Sequence, residues 1–144
     1  MAAFNLEPVC ARYGMDLVTL YKDEKTGLDD RENIVTKALG VLVENGVYAM
    51  TVFLLTCNKD KFGLHVLKSL AALLADDKVN LLAKKDVPPA GADGEGMLAL
   101  LTAMRRLTED METLFMARRV LEGALTFARY HCKALSRLKK EEGK

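Results

Sequence analysis

The last third of the chain limits the fold more than any other part. From residue 108 to about 140, Leu114, Leu121, Leu125, Ala128, Cys132 and Leu135 recur at helical spacing along one side. That pattern is a long amphipathic helix whose apolar stripe must be covered by other helices. The rest of the sequence supplies them. Val9, Tyr13, Leu17 and Leu20 mark a helix over 8–21, with Pro8 tolerated in its first turn. Ile34, Ala38, Leu39, Leu42 and Val43 mark a second, capped by Asp29 or Asp30 and stopped at Asn45-Gly46. Leu64, Leu67, Leu70, Leu73 and Leu74 give 62–75 a broad apolar face, led in from Asn58 or Asp60. Asp76 or Asp77 is read as the cap of a short helix to residue 82, and Leu98, Leu101 and Met104 mark another helix over 97–106. Thr108 is the expected cap of the last helix, with Glu109, Asp110 and Glu112 in its first turn.

One segment has β-forming character, 47–57, with Val47, Tyr48, Thr51, Val52 and Phe53. No second strand-like run exists for it to pair with, so it is read as a buried helix. Composition agrees: half of the 144 residues are apolar, only 6% are aromatic and Trp is absent, which favours helix packing by Leu, Ala, Val and Met. The expected fold is all-α, a single helical domain over 1–144 built as a compact bundle of about six helices with a long C-terminal one. Pro88-Pro89 with Gly91, Gly94 and Gly96 make 84–96 a flexible loop, and 141–144 is expected to be a disordered tail. Cys10, Cys57 and Cys132, an odd number with no CxxC pairing, fit free thiols in a reducing compartment. Met1-Ala2-Ala3-Phe4-Asn5 has neither the basic start nor the apolar run of a signal peptide, and no apolar stretch is long enough to span a bilayer. A cytoplasmic protein with no membrane partner is the expectation.

Charge is nearly balanced overall, 21 basic residues against 20 acidic, but it is not evenly spread. Residues 113–144 hold eight cations against three acids (+5), which leaves 13 cations against 17 acids (−4) elsewhere. On a wheel at 100° per residue, Arg118, Arg129, Lys133, Arg137 and Lys140 fall in one sector about 100° wide, directly beside the packing stripe. Cations spread along about 33 Å of helix can follow a phosphate backbone. Lys37, Arg105 and Arg106 are secondary candidates for RNA contact. The plainer reading of the same stripe is a solvated face that suits the helix dipole.

Motifs for chemistry are absent. His65 and His131 lack metal-ligand spacing, and the side chains of His131 and Cys132 diverge by about 100° on a helix. Gly91-Ala92-Asp93-Gly94-Glu95-Gly96 lacks the Lys-Ser/Thr of a phosphate loop and carries two acids that repel phosphate. No enzymatic activity, metal or cofactor is expected.

Two stretches carry a family likeness. Leu39-Gly40-Val41-Leu42-Val43-Glu44-Asn45-Gly46-Val47-Tyr48-Ala49-Met50-Thr51-Val52-Phe53-Leu54 resembles the run of apolar helix, Asn-Gly stop and Phe-containing helix in the small all-helical subunit of type III-B CRISPR–Cas effector complexes, the Cmr complex. Leu125-Thr126-Phe127-Ala128-Arg129-Tyr130-His131-Cys132-Lys133-Ala134-Leu135 is similar to the same family's aromatic, basic and apolar pattern near its end, with Phe127 where the family often has Trp. The likeness preserves order over roughly residues 8–138. Gly40 stands where the family often has Pro, and 84–96 has no counterpart. The resemblance implies a non-catalytic role in antiviral defence. Copies of such a subunit stack along an RNA-guided ribonucleoprotein, contact other effector subunits and line the groove that holds guide and target RNA. The rival expectation is a helical protein–protein adaptor with no nucleic-acid role, its basic stripe meeting an acidic partner. A small DNA-binding regulator is a weaker third, because 47–55 offers no basic side chain to a groove.

Overall fold

The computed structural model describes residues 5–19, 27–57, 62–89 and 94–142. The chain runs through α1 (Glu7–Thr19), α2 (Leu28–Asn45), α3 (Val47–Thr56), α4 (Phe62–Ala75), a 3-10 turn (Lys84–Asp86), α5 (Gly94–Leu107) and α6 (Met111–Glu142). Among the described residues there is no strand, and the chain forms the expected all-α bundle of six helices with a long last one. None of these helices is long and apolar enough to cross a membrane. The expected turn over 22–27, apart from Gly27, lies outside the described residues, as do Asn58, Asp60 and 143–144.

With 32 residues, α6 is about 48 Å long, and α1 and α2 pack along it more extensively than any other elements pack together. Its buried side is Ala117, Val120, Leu121, Ala124, Leu125, Ala128 and Cys132, wider than the sequence stripe because small residues face α1. Cys10 and Gly14 of α1 meet successive turns of α6, so those two helices run parallel. A Cβ on Gly14 would sit 2.8 Å from the Ala124 carbonyl oxygen and 2.8 Å from the Phe127 Cβ. Opposite, a Cβ on Gly123 would come within 3.2 Å of the Cys10 Sγ, whose thiol donates to the Val120 carbonyl at 3.5 Å. Two helix backbones approach this closely only where side chains are missing. By contrast α2 is antiparallel to α6: its last turn lies by Arg118 and its first by Lys133.

Helix ends are held by groups from other elements. The carbonyls of Leu17 and Val18, at the end of α1, accept from His65 Nε2–H of α4 at 3.0 Å and from Arg31 Nη1 of α2 at 2.7 Å. Burial, the largest influence on it, holds the His65 pKa below the usual histidine value, which favours the neutral ring that donates through Nε2. At the other end of the α1–α4 contact, Asp76 accepts from Arg12 at 3.1 Å and from the Tyr13 hydroxyl at 3.0 Å. Gly46, at φ 102°, lets α2 stop and α3 start with one residue between them, and its N–H closes onto the Leu42 and Val41 carbonyls. Between them these contacts position the uncharged helix α3, whose Val47, Met50 and Leu54 are buried, in agreement with the helical reading of 47–57.

Several boundaries differ from expectation. Asp110, not Thr108, caps α6: its carboxylate accepts the Thr113 N–H at 3.0 Å and the Thr113 hydroxyl at 2.5 Å, and these bonds hold it below the usual carboxylate range. Thr108 instead donates its hydroxyl to the Arg105 carbonyl and closes α5. Residues 76–82 form a turn rather than a helix, because Asp76 Oδ1 binds the Lys78 N–H and Asn80 takes φ 53°, folding Leu81 and Leu82 back onto the Leu74 carbonyl. The expected loop over 84–96 is shorter: 84–86 is a 3-10 turn, Pro88 is buried, and Gly94–Gly96 open α5. Glu141 and Glu142 continue α6 where a disordered tail was expected.

The close crossing sets a direct expectation. Gly14→Ala places its methyl against backbone and lowers unfolding free energy by about 1–3 kcal/mol, read as a reduced urea midpoint. Gly40, exposed in mid-helix with nothing within 4 Å of its Cβ position, is the control, and Gly40→Ala stabilises by about 0.5–1 kcal/mol.

Candidate nucleic-acid interface

The cations that share one sector on the sequence wheel do three different things in the fold. Arg118 reaches across the surface to α2. Its Nη2 donates to the Val43 carbonyl at 2.7 Å and its Nε to Glu122 Oε1 at 3.0 Å. Val43 lies in the last turn of α2, where carbonyls have no helical partner, so Arg118 acts as a cap supplied from another helix. The contact occupies two of its guanidinium nitrogens, Nε and Nη2.

Arg129 lies midway between that cap and the free end of α6. It is half-buried, with its Nε out of solvent and without an acceptor, so the stem packs in the fold. Beyond it α2 still covers the packed side of the helix: Cys132 is fully buried, and the start of α2 faces Ser136, Lys139 and Lys140. Lys133, Arg137 and Lys140 are all exposed, and together with Arg129 they cover about 16 Å of helix axis. Their acidic neighbours are loose: Lys133 Nζ is 3.8 Å from Glu32 Oε1, and Arg137 Nε is 3.8 Å from Glu141 Oε1. Exposed pairs of this kind contribute at most about 1 kcal/mol and are screened by salt. Lys139 and Lys140 border a shallow groove of about 530 Å³ whose far wall is the first turn of α2, with Asp29 and Asp30.

The secondary candidates are not part of this ridge. Lys37 is exposed on α2, and Arg105 and Arg106 are exposed at the end of α5. That helix packs chiefly on α3 and the 84–86 turn, with Arg106 on the rim of a separate groove of about 480 Å³. The structure therefore groups Lys133, Arg137 and Lys140, with Arg129 at their base, and separates Arg118, Lys37, Arg105 and Arg106 from them.

Residues outside the candidate set complete the exposed side of α6. Arg119 is exposed, Tyr130 is 63% exposed and Phe115 is 61% exposed. Arg119 shares the azimuth of Arg137, and Phe115 that of Lys133, so the wheel alone could have placed both on this side. A third groove of about 570 Å³ runs between the start of α1 and α6, bordered by Leu6, Glu7, Arg119, Glu122 and Phe127.

The three cysteines are free, and burial raises the pKa of each, that of Cys132 to about 11, so the thiols are held protonated. Among the described residues no three His, Cys, Asp or Glu side chains converge in a way that could hold a metal ion.

The division of labour among the cations is measurable. Arg118→Ala leaves the end of α2 short of a charged donor and lowers the unfolding free energy by about 1–2 kcal/mol in urea titrations. Lys133→Ala, at an exposed and loosely paired position, changes it by less than about 0.5 kcal/mol. Comparison of the chain with protein-family models, with curated proteins and with solved structures gives no match.

Proposed function

We propose that this protein is a non-catalytic RNA-binding subunit of an RNA-guided CRISPR effector ribonucleoprotein. It would hold the backbone of guide or target RNA against the second half of α6 and pack against other effector subunits and further copies of itself. One observation carries the reading: Lys133, Arg137 and Lys140 stand exposed along one side of the second half of α6, with loosely held acidic neighbours. Phosphates displace such neighbours readily, and the release of condensed counterions then drives binding. The likeness of 39–54 and 125–135 to the small type III-B subunits supplies the identity of the assembly. Backbone contacts of this kind leave sequence selection to base pairing.

A second reading has its own support. Met111 and Phe115 are exposed together on the first turns of α6, at 64% and 61%, with Met116 40% exposed about 100° further round the helix. Such a cluster suits a helical protein–protein adaptor with no nucleic-acid role.

Fluorescence anisotropy with a labelled single-stranded RNA over a salt series separates the two. The wild-type protein binds at low salt with a log K against log salt plot that falls steeply. In the double variant Lys133→Glu/Arg137→Glu the slope is shallower by about 1.4, as expected for two lost phosphate contacts on a single strand. An unchanged slope in that variant overturns the placement of RNA on this face. Absence of RNA binding even at low salt favours the adaptor.

A further inference from the structure

The basic ridge explains attraction to any phosphate backbone, paired or unpaired. The solvent side of α6 carries a feature that phosphates alone do not use. Tyr130 is 63% exposed, and Arg119, Lys133 and Arg137 are exposed around it. At 100° per residue, Arg119 and Arg137 point within about 20° of Tyr130 and Lys133 within about 60°. Along the axis Arg119 lies about 16 Å before the ring, and Lys133 and Arg137 lie about 4.5 Å and 10 Å beyond it.

The acids beside this strip are few and loosely held: Glu32 of α2 lies 3.8 Å from Lys133 and Glu141 lies 3.8 Å from Arg137. Glu112 and Glu141 share the strip's direction but stand at the two ends of the helix. Between them the nearest acid in the sequence of α6 is Glu122, turned about 80° away and held by Arg118 at 3.0 Å. An aromatic ring open to solvent is thus flanked along one line by three cations, a charge pattern complementary to a strand of phosphates with a base between them.

We infer that Tyr130 is a stacking platform and that the stretch of RNA held on α6 is unpaired. A duplex presents phosphates to the cations but keeps its base faces stacked inside, so it leaves the ring unused. An unpaired nucleotide can lay its base on the phenol while adjacent phosphates reach Lys133 and Arg137 on one side, and a phosphate further along the same strand reaches Arg119 on the other. Phe115, 61% exposed and about 22 Å back along the axis, is a second ring on the same side for a longer strand. The inference rests on the proposed RNA-binding role and adds to it the form of the ligand.

The absence of Trp from the chain makes the test clean. Tyr130→Trp introduces a single indole, and titration with a 12-nucleotide oligouridine quenches its emission saturably, whereas a blunt duplex of equal length does not. In parallel, Tyr130→Ala binds the single strand about tenfold more weakly with an unchanged salt slope, and Tyr130→Phe binds as the wild type does. Circular dichroism of each variant reports the same helix content, since the residue is exposed. Wild-type affinity in Tyr130→Ala, or equal affinity of the wild type for duplex and single strand, overturns the inference while leaving RNA binding intact. Failure of the wild type to bind either RNA at low salt, with capture of a polyglutamate peptide instead, overturns the inference and the RNA-binding role together.

Discussion

Everything in this fold hangs on the contact between α1 and α6. Gly14 lies so close to the Ala124 carbonyl and the Phe127 Cβ that no side chain fits between the helices, and Cys10 and Gly123 repeat the arrangement one turn earlier. The first and last helices of the chain are thereby brought together in parallel, which a bundle made only of short hairpin connections would not do. With α1 on α6, the antiparallel α2 closes a second seam along it, and α3 and α4 fill the remaining space with Met50, Leu54, Phe62, Leu67 and Leu70, all essentially without exposure. Burial of that apolar surface is the main driving force, and the tight crossing determines which arrangement receives it.

Basic side chains have two separable uses in the molecule. Arg31, His65 and Arg118 are spent on the backbone carbonyls that helices leave open at their ends, each reaching across from another element. Those of the second half of α6 are left to solvent and to loose acidic neighbours. One long helix therefore serves the core through its small and apolar residues and, in the proposed role, serves RNA through the opposite side. Packing of α1 and α2 supplies rigidity to the exposed side, so the spacing of Tyr130, Lys133 and Arg137 is set by helix geometry and not by loops.

Much of the architecture is legible in the residues. Helical period in five segments, the Asn45-Gly46 stop and the lack of a partner for a strand at 47–57 lead to the all-α bundle that the chain forms. What is not legible depends on contacts distant in sequence. Thr108 and Asp110 are both good caps, and only the register of α6 chooses Asp110. Asp76 looks like a helix start because its partners Arg12 and Tyr13 lie more than sixty residues away. Arg118 shares the azimuth of Arg129 on the wheel, yet the end of α2 beside it turns it into a cap. Tyr130 and Arg119 show the converse limit, since a ring and a cation on a solvent side acquire meaning only together with their exposure.

The most direct measurement of the central idea, that one side of α6 is the nucleic-acid face, is photo-cross-linking of the intact protein to RNA carrying 4-thiouridine, with adducts located by peptide mass spectrometry. Adducts are expected within 119–140, centred on Tyr130 and Lys133, and are lost on addition of competing unlabelled single strand. Adducts concentrated at Lys37 on α2, or at Arg105 and Arg106 on α5, with 119–140 unmodified, would contradict that idea.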